Sequence, residues 1–119
     1  MDVSFEEQVA VVVGGTKGIG LGCAQLLASS GAKVAVVGID NVDEACEIVK
    51  SHGVARGYQL DVNNVEEIYS TVSAIRGDLG EIDILVCSAG IDNSGVLSTE
   101  LSERDWDAVL SVNAKGLFF

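Results

Sequence analysis

Residues 9–20 combine a short apolar segment, a glycine-rich turn and the start of a helical pattern. The apolar segment is rich in valine, and a glycine-rich turn with the spacing Gly14, Gly18, Gly20 follows it; an amphipathic pattern begins at Ile19. Glycines allow the backbone to turn sharply and to approach a ligand closely. A helix N-terminus presents free N–H groups and a partial positive charge. The segment therefore predicts a strand, a turn and a helix that together bind phosphate.

An acidic residue downstream extends this predicted site from a phosphate to a dinucleotide. Asp40 follows Gly20 by 20 residues, after the next apolar segment, where a dinucleotide site requires an acid for a ribose hydroxyl. The glycine spacing is neither the common G-x-G-x-x-G nor a Walker loop. A tight strand-to-helix connection without a ligand is the alternative explanation for the glycines, and a simple turn residue is the alternative for Asp40. The order of strand, turn, helix and acid favours nucleotide binding.

Strands and helices alternate along the rest of the chain. Apolar segments predict strands at 8–13, 33–38, 55–60 and 82–87. Amphipathic patterns predict helices at 18–30, 42–51, 64–79 and 103–112, with another helix beginning near Asn113. Continuous apolar strands between amphipathic helices indicate a parallel sheet that is covered on both faces, which is a doubly wound α/β architecture.

Side-chain spacing also predicts which helix faces are buried and where helices begin. In the first helix the predicted buried face comprises Ile19, Cys23, Leu26 and Leu27. In the third helix the predicted apolar stripe comprises Val65, Ile68, Val72, Ile75 and Leu79. In the fourth helix we expect Trp106 to pack against the core. Three residues each precede an acid by three positions and are predicted to cap a helix: Asn41, Asn63 and Ser102.

Length and charge restrict the class of protein. The 119 residues, of which 48% are hydrophobic, predict a single domain over 1–119. The formal net charge of -11 disfavours contact with nucleic acid or anionic membranes. An anionic dinucleotide must therefore be held by local N–H groups and Lys17. No apolar segment approaches the roughly 18 residues of a membrane span, so no membrane helix is predicted.

The cysteine and histidine content predicts neither disulfides nor a metal site. Cys23, Cys46 and Cys87 are widely spaced in apolar patterns, no C-x-x-C is present, and the single His52 cannot complete a metal site. We expect three buried, reduced cysteines in a cytoplasmic protein.

Four motifs together resemble the N-terminal, cofactor-binding half of a short-chain dehydrogenase/reductase, of the 3-oxoacyl-carrier-protein reductase-like kind. They are the glycine loop at 13–20, Asp61-Val62 after the third strand, Cys87-Ser88-Ala89-Gly90 after the fourth, and Asn113 in the fourth helix. The resemblance implies a Rossmann-like, three-layer sheet with strand order 3-2-1-4, incomplete relative to the family fold.

The resemblance also implies a set of site residues for NAD or NADP. The implied cofactor-binding residues are Gly14, Thr16, Lys17, Gly18, Ile19, Gly20, Ile39, Asp40, Asp61, Val62, Ser88, Ala89 and Gly90. Asn113 is implied as the support of a proton relay, with an ordinary polar role as the alternative. Asp61 has a further alternative role as a cap of the third helix.

Several residues depart from the family pattern. Val13 replaces a Thr, and Cys87-Ser88 replace two Asn, which in the family tie the glycine loop to the loop after the fourth strand. We expect the family's catalytic Ser, Tyr and Lys to be absent from these residues; no Tyr-x-x-x-Lys occurs, because Val62 and Ser73 stand four residues after the two tyrosines. We therefore expect no catalysis by these 119 residues alone.

The choice between NAD and NADP is only weakly specified. In the family an acid at the position of Gly38 favours NAD, and an Arg at the position of Ile39 favours NADP; this chain has neither. Lys17 suits a 2′-phosphate, whereas Asp40 suits a free ribose and would repel that phosphate. The balance favours NAD slightly.

The predicted function is the NAD(P)-binding portion of an oxidoreductase that transfers hydride between nicotinamide and a carbonyl or hydroxyl substrate. A stand-alone, non-catalytic nucleotide-binding module is one alternative, and one piece of a split enzyme is another. Because nothing in the sequence covers the fourth strand, we expect a homo-oligomer or cover by a missing half of the fold.

Overall fold

Four parallel strands alternate with four helices in the computed structural model, which describes residues 3–119. The strands are β1 (Val9–Val13), β2 (Lys33–Gly38), β3 (Ala55–Gln59) and β4 (Ile84–Cys87). The helices are α1 (Gly18–Ser29), α2 (Val42–Lys50), α3 (Val65–Leu79) and α4 (Glu103–Leu110). A short 3₁₀ turn (Ser98–Glu100) precedes α4, and a π-helical turn (Ser111–Gly116) follows it.

The strands lie in the order β3-β2-β1-β4, and all pairings are parallel. At the centre of the sheet, Val11 of β1 stands opposite Ala35 of β2 and Leu85 of β4. The predicted fold class and strand order are confirmed. Because the strands are parallel, their carboxyl ends share one edge, and the chain order reverses direction at β1, where open sheets form a ligand crevice.

Alternate residues of the central strands enter two separate cores, so the sheet is covered on both faces. One core lies against α1 and α2 and contains Ala10, Val12, Ala24, Ala28, Val34, Val36, Cys46 and Val49. The other lies against α3 and contains Val9, Val11, Ala35, Val37, Leu60, Ile68 and Ile75. The three-layer architecture follows, and the predicted apolar stripe of α3 is confirmed by its buried Ile68 and Ile75.

The centre of the buried face of α1 consists of small residues, so the predicted face is wrong for Ile19 and Leu26, whereas Leu27 packs against the core and Cys23 is half-buried. Gly20, Ala24 and Ala28 are buried, whereas Ile19 is 82% exposed and Leu26 is 57% exposed. Small side chains let the helix axis approach the sheet closely, so that Ile19 and Leu26 stay exposed, while Leu21 and Leu27 pack at the margin of the core. The sequence prediction favoured large apolar residues and missed the face that is made of small ones.

The helices begin at or within one residue of the predicted positions, but the predicted cap is confirmed only at α4. Ser102 and Asp105 form the predicted capping box, with the Asp105 amide donating to Ser102 Oγ over 3.1 Å. The cap of α3 is Asn64, one residue after the predicted Asn63. The Oδ1 atom of Asn63 instead accepts a hydrogen bond from the Ser111 hydroxyl. Asn41 has a positive φ of 53° and makes no capping hydrogen bond, so that prediction is also wrong.

The C-terminal part of the chain differs from the prediction at two places. No new helix begins near Asn113, because α4 continues directly into the π-helical turn. Trp106 is 58% exposed and does not anchor α4 to the core. Within the described sheet β4 pairs on one side only, with β1, and Leu85 is 62% exposed. An apolar strand edge is therefore open in residues 3–119.

The cysteines are reduced but not all buried. Cys46 is buried, Cys23 is half-buried and Cys87 is exposed, so the prediction of three buried thiols is confirmed only for Cys46. Across residues 3–119, no helix combines the length and apolar character that crossing a membrane requires. In the same part of the chain, no three potential metal ligands lie together.

Candidate functional site

A cleft of about 390 Å³ lies at the carboxyl edge of the sheet. It contains all but one of the thirteen predicted cofactor-binding residues: Gly14, Thr16, Lys17, Gly18, Ile19, Ile39, Asp40, Asp61, Val62, Ser88, Ala89 and Gly90. The remaining residue, Gly20, is buried in α1. Four segments that are distant in the sequence thus meet around one space.

Close backbone packing fixes the glycine loop between β1 and α1. Gly14 has a φ of +78°, and a Cβ atom at this position would lie 2.5 Å from the Ala89 amide nitrogen. A Cβ atom at Gly20 would overlap the carbonyl group of Gly14. Gly18 also has a positive φ, of +57°, but a Cβ atom there would meet open space. Two of the glycines therefore permit packing, and the third borders free volume in the cleft.

Backbone hydrogen bonds hold the glycine loop to both neighbouring strands. The amides of Gly14 and Gly15 donate to the Val37 carbonyl over 2.8 and 3.1 Å. The Ser88 amide donates to the Val13 carbonyl over 2.8 Å. The loop after β4 is thus attached through the backbone of residue 13, and the loss of a hydroxyl at Val13 does not detach it.

The N-terminus of α1 has the chemistry of an anion site. The first helical hydrogen bond runs from the Leu21 amide to the Lys17 carbonyl over 3.2 Å, so the amides of residues 18–20 have no partner within the helix. No side chain caps this end, and its first turn contains no acid. Free N–H groups and the positive end of the helix dipole favour a phosphate group at this point.

Two exposed groups of opposite charge line the cleft, one at the start of α1 and one after β2. Lys17 and Asp40 both line the cleft, and they form no ion pair with each other within the described chain. Ile39, between β2 and Asp40, is 59% exposed and offers an apolar surface. This wall combines a cation, a carboxylate and an aliphatic side chain, which are groups that can contact a nucleoside.

Asp61 stabilises the turn after β3 and does not cap α3. Its Oδ1 accepts a hydrogen bond from the Asn63 amide over 3.0 Å, and its own amide donates to Glu67 Oε1 over 3.3 Å. The cap of α3 is Asn64, so the alternative role of Asp61 as a helix cap is wrong. The neighbouring Val62 packs on the buried Gly116, where a Cβ atom would lie 2.8 Å from Val62 Cγ2.

Asn113 holds the loop after β4. Its Oδ1 accepts from the Ile91 amide over 2.9 Å, and its Nδ2 donates to the Ile91 carbonyl over 2.8 Å. Both polar ends of the side-chain amide therefore bind one backbone residue. The side chain thus positions the loop that carries Ser88 to Gly90, and the π-helical turn places it there.

Sequence reasoning missed six residues that also line the cleft: Val13, Gly38, Leu60, Asn63, Ile91 and Val112. Most of them are sequence neighbours of predicted site residues, and this adjacency was the available signal. The side-chain type of Ile91 could not have indicated its place in the cleft, because only its backbone N–H and C=O bond to the Asn113 side chain.

Tyr58 lies on β3 and is not among the residues that line the cleft. Its hydroxyl donates to Asp78 Oδ2 over 2.8 Å. Burial first, and then the hydrogen bond to Asp78, raises the pKa of Tyr58 above its usual value. Because Tyr58 lies outside the cleft and its hydroxyl is bonded to Asp78, it does not replace the family tyrosine.

A second cleft, of about 300 Å³, lies between α3, β4 and the C-terminal residues. Its walls are almost entirely apolar and include Ile75, Leu85, Phe118 and Phe119. Thr71 is among its few polar groups. Cys87 contributes the one titratable side chain among the residues that line this cleft, which continues along the open edge of β4.

Comparisons with known proteins agree with this geometry. A family model described as short chain dehydrogenase matches residues 8–119. The D-threitol dehydrogenase of Mycolicibacterium smegmatis is 33% identical over 120 residues, which cover 98% of this chain and 46% of that protein. The 3-oxoacyl-acyl-carrier-protein reductase FabG of Escherichia coli is 31% identical over 118 residues, which cover 98% of this chain and 47% of that protein.

A solved structure agrees in the same way. The short-chain type dehydrogenase/reductase from Mycobacterium ulcerans superposes with a TM-score of 0.90 at 26% identity. The match covers 98% of this chain and 44% of that one. The chain therefore spans about half the length of the relatives that it matches.

Proposed function

The chain belongs to the short-chain dehydrogenase family, and from this premise we propose that its cleft binds the dinucleotide NAD(H) or NADP(H). The observation that carries the proposal is the uncapped N-terminus of α1 beneath the glycine loop. A phosphate there would accept hydrogen bonds from amides that lack a helical partner. The open space beside Gly18 gives room for it.

Each wall of the cleft then has a proposed role toward the dinucleotide. The amides of Gly18 and Ile19 bind the pyrophosphate, Asp40 contacts the adenosine ribose, and Asp61-Val62 flank the adenine. The loop from Ser88 to Gly90, held by Asn113, lies along the nicotinamide half. When bound, the nicotinamide supplies the hydride acceptor or donor.

We propose NAD(H) as the preferred form. Asp40 would accept a hydrogen bond from a free ribose hydroxyl and would repel a 2′-phosphate. Lys17 would attract that phosphate and acts in the opposite direction. Since both side chains are exposed, solvent screens both effects, and the preference is small.

For the activity, we propose the cofactor-binding portion of an oxidoreductase with a carbonyl or hydroxyl substrate. The relatives are named as a dehydrogenase and a reductase, which fits this reaction class. Residues 1–119 contain no Tyr-x-x-x-Lys. That feature also favours a second candidate function, a nucleotide-binding module without catalysis or with a catalytic partner chain.

For the assembly, we propose self-association or cover of β4 by further polypeptide, in a cytoplasmic protein. The open edge of β4 and the exposed apolar side chains of Leu85 and Phe118 support this proposal. Exposed apolar strand edges pair with other chains.

Equilibrium titration of the chain with NADH and NADPH tests the proposed binding. Gly18→Val places a branched side chain in the free volume beside the α1 N-terminus, and we expect the Kd to rise at least about tenfold, or 1.4 kcal/mol. Gly95→Val is the matched control, because Gly95 also has a positive φ, of +85°, and a Cβ atom there also meets open space, but Gly95 is not among the residues lining the cleft.

Circular dichroism establishes that both variants are folded. Equal Kd values for wild type and folded Gly18→Val would refute binding at this cleft.

A further inference from the structure

We infer that Thr16 is a specificity-determining residue, because its side chain occupies the space beside Gly38 that any larger residue at the end of β2 would need. The inference rests on the proposed dinucleotide function and deepens it. Thr16 and Gly38 both line the cleft, as do the charged residues Lys17 and Asp40.

The backbone of Gly38 does not require glycine. Gly38 is the last residue of β2, stands opposite Gln59 and accepts a hydrogen bond from the Leu60 amide over 2.9 Å. Its φ angle is not in the positive, left-handed range that favours glycine. Any residue type could therefore adopt its conformation as far as the backbone is concerned, so the constraint at this position comes from a neighbour.

That neighbour is Thr16. A Cβ atom built at Gly38 would overlap Thr16 Cγ2 and would lie 3.2 Å from Oγ1 and 3.4 Å from Cβ. The three nearest atoms all belong to this one side chain. Val34 and Val36 enter the core on the α1 side of the sheet, and position 38 continues that alternation toward the loop before α1. The threonine methyl thus fills the place of the missing side chain.

This packing sets the charge of the ribose wall. Gly38 contributes no carboxylate to the cleft, and Thr16 leaves no space for a larger residue there. The charged residues that line the cleft are Lys17, which would attract a 2′-phosphate, and Asp40 and Asp61, which would repel it. A carboxylate at position 38 would add repulsion against that phosphate. Thr16 therefore keeps discrimination between the two dinucleotides narrow, and we expect wild-type Kd values for NADH and NADPH that differ by less than about tenfold.

A double-mutant cycle tests the coupling between the two positions. The Kd values for NADH and NADPH are measured for wild type, Thr16→Ala, Gly38→Asp and the double variant. In Gly38→Asp the carboxylate collides with Thr16, so both dinucleotides bind more weakly and the ratio of Kd(NADPH) to Kd(NADH) changes less than about threefold.

Shortening Thr16 gives that carboxylate its space. In the double variant we expect the ratio of Kd(NADPH) to Kd(NADH) to rise at least about tenfold above the product of the two single effects. Thr16→Ala combined with Gly38→Asn is the uncharged control. It restores tight binding without raising the ratio.

A second readout needs no nucleotide. Gly38→Ala should lower the urea midpoint of unfolding in the Thr16 background, whereas the same change in Thr16→Ala should have little effect. Independent effects of the two positions in both experiments, with normal binding by wild type, would overturn this inference alone. Failure of wild type to bind either dinucleotide would overturn the proposed function and the specificity role of Thr16 with it.

Discussion

Replacement of Asn113 by alanine tests the hydrogen-bonded connection between the π-helical turn and the loop after β4. The change removes two hydrogen bonds, of 2.9 and 2.8 Å, to the Ile91 backbone. A hydrogen bond in a folded protein contributes about 1 kcal/mol net. Ile91 is 44% exposed, so water can partly replace the lost partner. We therefore expect a loss of about 1–2 kcal/mol in the free energy of unfolding.

Urea denaturation, followed by circular dichroism, measures this loss. With a slope of about 2 kcal/mol per molar urea, the midpoint should fall by about 0.5–1 M. Asn93→Ala is the matched control. The Asn93 side chain makes one hydrogen bond, in which its Nδ2 donates to the Asp105 backbone carbonyl at the long distance of 3.5 Å. Its midpoint should fall by less than about 0.25 M.

Hydrogen exchange separates a local effect from a global one. The Ile91 amide should exchange faster in Asn113→Ala than in Asn93→Ala, because its acceptor has been removed. Binding of dinucleotide should weaken as well, since Ser88 to Gly90 belong to the same loop. Equal midpoints and equal Ile91 exchange in the two variants would refute the positioning role of Asn113.

Four further predictions follow from burial, exposure and composition. Ile75→Ala should destabilise the fold by about 2–5 kcal/mol in urea denaturation, whereas Leu26→Ala, on the exposed face of α1, should cost less than about 1 kcal/mol; equal costs would contradict the assigned core. Thiol labelling of the native chain should modify the exposed Cys87 first and the buried Cys46 only on unfolding; burial raises the pKa of both thiols, so accessibility decides the order. Purified residues 1–119 should show no turnover of carbonyl substrates with either nicotinamide, and activity that a substitution in this chain abolishes would disprove this. Analytical ultracentrifugation at low micromolar concentration should detect self-association, whereas a stable, folded monomer would count against the proposed role of the β4 edge.

The architecture was predictable because its signals are local. Apolar strand segments, glycine turns and amphipathic helices recur with clear spacing, and parallel sheets impose a small number of topologies. The stripe of α3 illustrates this, since Ile68 and Ile75 are buried as their spacing indicates. The glycine loop and the loop after β4 meet because parallel strands end at one edge of the sheet.

The details that escaped prediction depend on tertiary packing. Ala24 and Ala28 form the buried face of α1 because small residues allow the helix to approach the sheet closely. The sequence prediction chose Leu26 instead because it weighed only the size of the apolar side chains. The overlap of Thr16 with a side chain at Gly38 involves two residues far apart in sequence, so no local pattern contains it.

The central claim is that the cleft at the carboxyl edge of the sheet binds a nicotinamide dinucleotide. An NMR titration of the isotope-labelled chain with NAD⁺ tests it directly, because each backbone amide reports separately. We predict saturable shifts of the amides of Gly18 and Ile19, of Asp40 and of the loop from Ser88 to Ile91, with Gly22 and Gly77 nearly unchanged. An absence of shifts at millimolar NAD⁺ and NADP⁺, or shifts confined to the apolar cleft beside β4, would contradict the account.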